Sequence, residues 1–379
     1  MPDTLAPVSP VDPDGLMEFS VVFTDSYIKH MSKLFQGVMR DLSAGLKEVY
    51  GAEAVAVVPG GGTYAMEAVA RQFGGGAHAL VVRNGWFSYR WTQIFEAGGF
   101  AERTTVFKAR PQGNGSPAPY APAPIEDVVA AIREARPAAV FAPHVETSAG
   151  IILSDDYIRA LAEAAHEVGA ILVLDCVASG CVWVDMTATG VDVLISAPQK
   201  GWSSTPAAGL VTMSERAKAR MEASASTSFA LDLKKWASIM AAYEAGGHAY
   251  HATLPTDSLR QLRDTMEETR ALGWQQAKDA QWELGRRVRG LLAEKGLTSV
   301  AAQGWEAPSV VVCFTDDPDI QSGRRFAAEG MQIAAGVPLQ VDEPESFRSF
   351  RVGLFGLDKL KDVERTVERF RAVADRVLG

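Results

Sequence analysis

Two residues in the stretch Leu172–Thr205 (LVLDCVASGCVWVDMTATGVDVLISAPQKGWSST) are of types that could work as a chemical pair. Asp175 closes one apolar run. Lys200 follows 25 positions later, just past a second apolar run and among Ser, Pro, Gln and Gly. Short continuous apolar runs read as buried strands, and in an open α/β sheet the ligand-binding groups emerge at the carboxyl ends of strands. An acid and an amine at two neighbouring strand ends suit pyridoxal phosphate. The amine forms a Schiff base, and the carboxylate keeps the pyridine nitrogen protonated so that the ring accepts electrons. Either residue alone would read as a surface lysine or a strand-capping acid; the pairing points to the cofactor.

Four more segments carry chemistry. Pro59–Glu67 (PGGGTYAME) is a glycine-rich turn between a strand and a helix, where free N–H groups and the positive helix end can hold a phosphate, although a plain tight turn has the same pattern. In Asn84–Trp91 (NGWFSYRW) an aromatic side chain after a strand end can stack on a flat ring, although four aromatics in six residues also suit a core. His144–Gly150 (HVETSAG) follows another apolar run, and no further ligand type clusters near His144 and Glu146, so no metal is expected. In Phe350–Gly356 (FRVGLFG), Arg351 sits in an apolar strand, where a guanidinium needs an anion: a substrate carboxylate or an internal acid.

The elements that must position these residues alternate along the chain. Strands are predicted at Ala54–Val58, Ala79–Val82, Ala138–Ala142, Ala170–Asp175, Val191–Ser196 and Ala208–Met213. Helices are predicted at Ile28–Tyr50, from Tyr64 to Gln72, to about Glu96, and at Asp155–Val168. This pattern implies a mostly parallel sheet covered by helices on both faces. Gln112–Pro124 reads as a surface loop. Near Pro255 a charge-rich helical segment, Ser258–Glu294, begins; then come a strand (Ser309–Phe314), a helix (Ile320–Glu329) and a closing helix (Leu357–Val377). The expected organisation is an N-terminal arm (1–29), a large cofactor-binding domain (30–255) and a small C-terminal α+β domain (256–379).

Composition narrows the class. Of 379 residues, 37 are Lys or Arg and 46 Asp or Glu, a net charge of −9 that argues against a general nucleic-acid binder. Three cysteines are too few for a disulfide framework or a zinc site. The segment Met1–Asp14 has neither a basic n-region nor an apolar h-region, and no apolar run is long enough to span a bilayer, so a cytoplasmic protein is expected.

These motifs resemble the class V, fold-type I pyridoxal-phosphate aminotransferases of the serine–pyruvate and alanine–glyoxylate branch. The matching stretches are Asp175-Cys176-Val177-Ala178-Ser179, Gly190-Val191-Asp192 and Ser196-Ala197-Pro198-Gln199-Lys200. The resemblance implies an α/β fold of type I, a large domain with a mixed, mostly parallel sheet flanked by helices and a smaller α+β domain. It implies that Lys200 is the Schiff-base lysine, that Asp175 meets the ring nitrogen, that Val177 packs one ring face and that Gln199 bonds near the ring. Gly61, Gly62 and Thr63 would hold the phosphate, with Gly61 standing where relatives have Ser. Phe87 would stack on the ring, Ser148 would lie near the cofactor, and Arg351 would grip the α-carboxylate. The Tyr-His-x-Thr-x-Pro match at Tyr250–Pro255 implies that Tyr250 and Thr253 reach the phosphate of a second subunit, so a homodimer with shared sites is expected. Ser20–Asp25 departs from the family's Gly-Pro-x-Pro segment and leaves the substrate pocket's shape open.

The implied activity moves an amino group from a small amino acid, alanine- or serine-like, to a 2-oxo acid such as glyoxylate or pyruvate. A lyase, by β-elimination or desulfurase-like, is the alternative on the same fold. Desulfurases carry His before the lysine and a nucleophilic Cys on a late loop; here Gln199 precedes Lys200 and Gly330–Val337 holds no Cys.

Overall fold

The computed structural model describes residues 27–113 and 117–379; Ser20–Asp25 and most of the expected arm lie outside the described residues. Seven strands form the main sheet: β1 (Ala54–Pro59), β2 (His78–Arg83), β3 (Arg103–Lys108), β4 (Ala139–Pro143), β5 (Ile171–Asp175), β6 (Val193–Ser196) and β7 (Ala208–Met213). Their spatial order is β1-β7-β6-β5-β4-β2-β3. Strand β7 runs antiparallel to both neighbours, and the other pairs are parallel. Strands β4, β5, β6 and β7 are buried at every position, as strands covered on both faces must be.

Helices supply that cover: α1 (Lys33–Tyr50), α2 (Gly62–Phe73), α3 (Trp86–Gly98), α4 (Ile125–Ala135), α5 (Asp155–Glu167) and α6 (Leu233–Glu244). Side-chain caps fix where several begin. The Ser32 hydroxyl accepts from Phe35 N–H at the start of α1, and Ser154 accepts from Tyr157 N–H at the start of α5. The Gly190-Val191-Asp192 motif has a structural task at the opposite edge from Asp175. The buried Asp192 carboxylate accepts from Leu172 N–H and the Ser214 hydroxyl, and lies 2.9 Å from His166 Nε2. It thereby fixes the start of β6 against that of β5.

The neighbouring pairing of β5 and β6 is what matters for chemistry. Ile195 pairs with Asp175, so both strands open on one edge, with Lys200 four residues past the end of β6.

Beyond Pro255 the expected long helix is two: α7 (Thr256–Leu272) and α8 (Trp274–Glu294), separated by Gly273 at φ +100°, a left-handed conformation no helix interior contains. The expected helix over 320–329 is likewise two short pieces around Gly323 (φ +78°). The closing helix breaks before α9 (Val363–Leu378), where the Asp362 side chain caps Arg365 N–H. A second sheet is antiparallel: β8 (Val310–Phe314), β9 (Ala334–Ala335) and β10 (Ser349–Gly353), in the order β8-β10-β9. Arg351 stands in its central strand, opposite Val312 on one side and Ala334 on the other. Within the loop expected at Gln112–Pro124, Tyr120 and Ala121 pair with Arg110–Pro111 and are buried. Among the described residues no helix is long and apolar enough to cross a membrane.

Asp192→Ala would strand the buried Leu172 N–H and release Ser214. Denaturant unfolding should show a loss of about 2–4 kcal/mol.

Candidate active site

The carboxyl ends of β5 and β6, the start of α2, the start of α3 and the face of β10 enclose a cavity of about 380 Å³. Its walls bring together Asp175, Val177, Gln199 and Lys200 from the β5–β6 edge, Gly62 and Thr63 from α2, Phe87 from α3 and Arg351 from β10. Eight of the residues singled out by sequence thus converge, although the first and last are almost 290 positions apart. The Lys200 turn is held from behind. Trp202 is fully buried; its indole N–H and the Tyr50 hydroxyl both donate to Ser196 Oγ, at 3.1 and 3.4 Å.

Glycine is required in this wall for three different reasons. Gly60 adopts φ +122°, and a Cβ there would meet the Tyr64 ring. A Cβ on Gly62 would come within 2.7 Å of Val177 Cγ2, so its absence lets α2 close on the β5 edge. A Cβ on Gly85 would collide with Ser148 Oγ.

That last contact belongs to a network around Glu146, which is wholly buried. Its Oε1 accepts from Phe87 N–H (3.1 Å), Ser148 N–H (3.1 Å) and the Ser148 hydroxyl (2.7 Å). Its Oε2 accepts from Ser88 N–H (2.9 Å) and lies 2.6 Å from the Ser88 hydroxyl. The carboxylate satisfies the free N–H groups at the start of α3, which Gly85 cannot cap with a side chain, and it favours the positive end of the helix. Ser148 Oγ in turn accepts from Trp86 N–H at 2.9 Å. These bonds set the direction of Phe87.

Burial governs the titration of the groups facing the cavity. It pushes the Asp175 carboxyl up to about 6; the Val177 N–H bond opposes the rise, the Glu146 charge adds to it and the Arg90 charge opposes it. Burial lowers Lys200, and the Arg351 charge lowers it further. Burial also lowers Arg351, against the pull of Glu146. A lysine of lowered proton affinity and a carboxyl pushed up to about 6 in one cavity are groups that could exchange protons with a ligand.

Two of the expected cofactor contacts lie outside the lining. Ser148 does not line the cavity: its hydroxyl is spent on Glu146 and Trp86, and Thr147 faces the cavity instead. Gly61 is the N-cap of α2 and stays outside the lining. Tyr250, 63% exposed, and Thr253, which were expected to serve a second subunit and not this cavity, stand on the surface with their side-chain oxygens 3.4 Å apart. Sequence reasoning passed over Met66, Thr147 and Phe355 as lining residues and Glu146 as their support, and named Arg90 only as a motif position. Arg90 stood within the Asn84–Trp91 motif; the role of Glu146 had no signal beyond its place beside Thr147. Trp91 is buried against Phe141, ring centroids 4.7 Å apart, as a core residue.

A family model described as aminotransferase class-V matches residues 20–336. The chain is 26% identical over 349 residues to a protein named soluble hydrogenase, small subunit, from Synechococcus sp., covering 91% of this chain and 86% of that one. It is 28% identical over 345 residues to a 2-aminoethylphosphonate–pyruvate transaminase from Paraburkholderia phymatum, covering 89% and 88%. The fold is similar to that of an alanine–glyoxylate aminotransferase from Nostoc sp., with a TM-score of 0.79 and 23% identity over 93% of this chain and 90% of that one.

Glu146→Gln would turn an amide NH2 toward backbone donors. Chemical denaturation should show a loss of about 2–3 kcal/mol. For Asp175 the folded carboxyl titrates at about 6 against an ordinary 3.8. Its stabilising contribution to the cofactor-free protein is therefore full below about pH 4 and lost as the pH rises through about 6. Asp175→Asn removes this loss, so the cofactor-free variant should exceed the parent in stability at pH 7 by up to about 2 kcal/mol. The difference should vanish toward pH 4 in unfolding curves taken across that range.

Proposed function

The chain belongs to the class-V aminotransferase family, and on that footing we propose that it is a pyridoxal-phosphate-dependent transaminase moving an amino group from a small amino acid to a 2-oxo acid such as pyruvate or glyoxylate. The observation that carries the reading is the convergence of Asp175, Lys200 and Arg351 on one cavity. The residues fit the cofactor. Gln199 Oε1 is buried with no hydrogen-bond partner among the described residues, Gly62 leaves an open helix start, and Phe87 and Val177 offer apolar faces.

When bound, pyridoxal phosphate supplies a ring that accepts the electrons left by a departing α-proton and carries the amino group between substrates. Lys200 Nζ would hold the cofactor and, as the free amine, would take the α-proton of the bound substrate. Its lowered proton affinity suits a general base. Asp175 would hold the proton on the ring nitrogen. Gly62, Thr63 and the α2 N-terminus would hold the phosphate, Phe87 and Val177 would pack the ring, and Gln199 would bond beside it. Arg351 takes the carboxylate next to the reacting carbon. Its Nε is engaged by Ala335 C=O at 2.8 Å, which aims the remaining donors.

The relative acting on 2-aminoethylphosphonate and pyruvate supports the transfer of an amino group to an oxo acid. A desulfurase reading lacks its nucleophile. Cys176, Cys181 and Cys313 are buried, none lines the cavity, and burial pushes the thiols of Cys181 and Cys313 up to about 12. We read the enzyme as a cytoplasmic homodimer whose Tyr250 and Thr253 serve the neighbouring subunit's phosphate; their exposure away from their own cavity supports this. The boundary near Pro255 would separate the large domain (30–255) from the small one (256–379).

Lys200→Ala should lose the visible absorbance that borohydride fixes to the chain; retention of borohydride-fixable cofactor would refute the assignment. Arg351→Ala should raise KM for the amino acid by about tenfold to a hundredfold with cofactor still bound. Unchanged kinetics would put the carboxylate grip elsewhere. Mixed Lys200→Ala and Tyr250→Ala chains should regain activity where heterodimers form. Heterodimers without activity would count against shared sites.

A further inference from the structure

The cavity holds an arginine that this chemistry does not use. Arg90 lies one helical turn beyond Phe87 on α3 and faces the cavity. Its Nη1 donates to Thr63 Oγ1 at 3.0 Å, and its Cζ lies 5.4 Å from the centroid of the Phe87 ring. Arg351 approaches the same ring at 5.5 Å, so two guanidinium groups flank one aromatic. Among the described residues, the side-chain hydrogen bond of Arg90 goes to a neutral hydroxyl; the Asp175 carboxyl in the same wall feels its charge but makes no hydrogen bond to it.

The position of Thr63 gives this arginine a direction. Thr63 is the second residue of α2, whose N-cap Gly61 offers no side-chain group to the anion-binding end of the helix. Packing does not demand glycine there, because a Cβ on Gly61 would meet nothing within 4 Å. A hydroxyl at 61 would fit, and the chain lacks one. A phosphate monoester carries about 1.5 to 2 negative charges at neutral pH, and a helix N-terminus offsets only about half a charge. Of the other two cations in the wall, Lys200 is committed to the covalent attachment and Arg351 to the substrate. Arg90 is the cation left beside the cradle.

We infer that Arg90 is a phosphate ligand of this enzyme: steered by Thr63 Oγ1, its guanidinium supplies the charge that an all-glycine turn and a helix terminus leave unbalanced. The inference rests on the pyridoxal-phosphate reading and adds a residue to it. With glycine at 61, the turn adds no hydroxyl to the cradle, and the charged donor comes from α3.

The test uses pyridoxamine 5′-phosphate and pyridoxamine, which bind without attachment to Lys200, titrated into cofactor-free protein with fluorescence quenching as the readout. The parent should prefer the phosphorylated ligand. Arg90→Gln should weaken pyridoxamine 5′-phosphate by about tenfold to a hundredfold, leave pyridoxamine unchanged and flatten the salt dependence of binding. Arg90→Lys, which keeps the charge but loses the fork, should lose less. Adding Gly61→Ser to Arg90→Gln should recover part of the loss. Equal weakening of both ligands would make Arg90 a structural residue, and an undiminished phosphate preference would remove it from the cradle; either result overturns the inference alone. A parent protein that binds neither ligand overturns the cofactor reading itself.

Discussion

A buried carboxylate holds the cavity in shape. Glu146 has no solvent to stabilise its charge, and a wholly buried acid is tolerable only when its lone pairs are matched. Here the matching groups come from two segments that the chain places almost 60 positions apart: the first turn of α3 and the 144–150 turn after β4. Neither segment can shift without leaving donors and an acid unpaired. Because Phe87 and Arg90 share α3, fixing its first turn fixes the aromatic face and the second guanidinium together. The cost of bringing the backbones so close is glycine at position 85, where a side chain would displace Ser148.

The same charge spreads through the site. Glu146 raises Asp175 and supports the protonated state of Arg351, Arg351 lowers Lys200, and Arg90 restrains Asp175. With water largely excluded, these influences act over longer range than they would on a surface. Asp175, Lys200 and Arg351 should titrate as a coupled set, so a substitution at one will move the apparent pKa values of the others. An acid near pH 6 and an amine shifted toward neutrality are also an expensive pair to keep in an empty cavity, which is where a cationic ring and an anionic phosphate would repay it.

Arg351 reaches this set from a different sheet, and the join between the two sheets is specific. Gln281, fully buried on α8, donates to Pro308 C=O and Leu354 C=O and accepts from Cys181 N–H. The Ser309 hydroxyl donates to Ala178 C=O at 2.7 Å, and Ser203 Oγ accepts from Leu357 N–H at 2.7 Å. These bonds bracket β8 and β10 on both sides of Arg351 and tie them to the loops that follow β5 and β6. The guanidinium is thus held by the segments that carry Asp175 and Lys200.

Most of the sheet was legible in the sequence, because strands buried on both faces need continuous apolar runs, and Asp175, Lys200 and Arg351 were legible because polar groups ending or interrupting such runs need a reason. Strand β3 was not: at the sheet edge it is only half buried, and RTTVFK carries no such run. Helix breaks at Gly273 and Gly323 escaped the periodicity, since a single left-handed glycine leaves the apolar spacing on either side intact. In the site, the sequence by itself determined which residue types were available for chemistry and on which strand ends they stood. Only the tertiary structure decided that Thr147 rather than Ser148 faces the cavity, that Glu146 supports Phe87, and that Arg90 turns toward Thr63. Those outcomes depend on hydrogen bonds between segments far apart in the chain, and local spacing carries no information about which of two adjacent hydroxyls a distant backbone will claim.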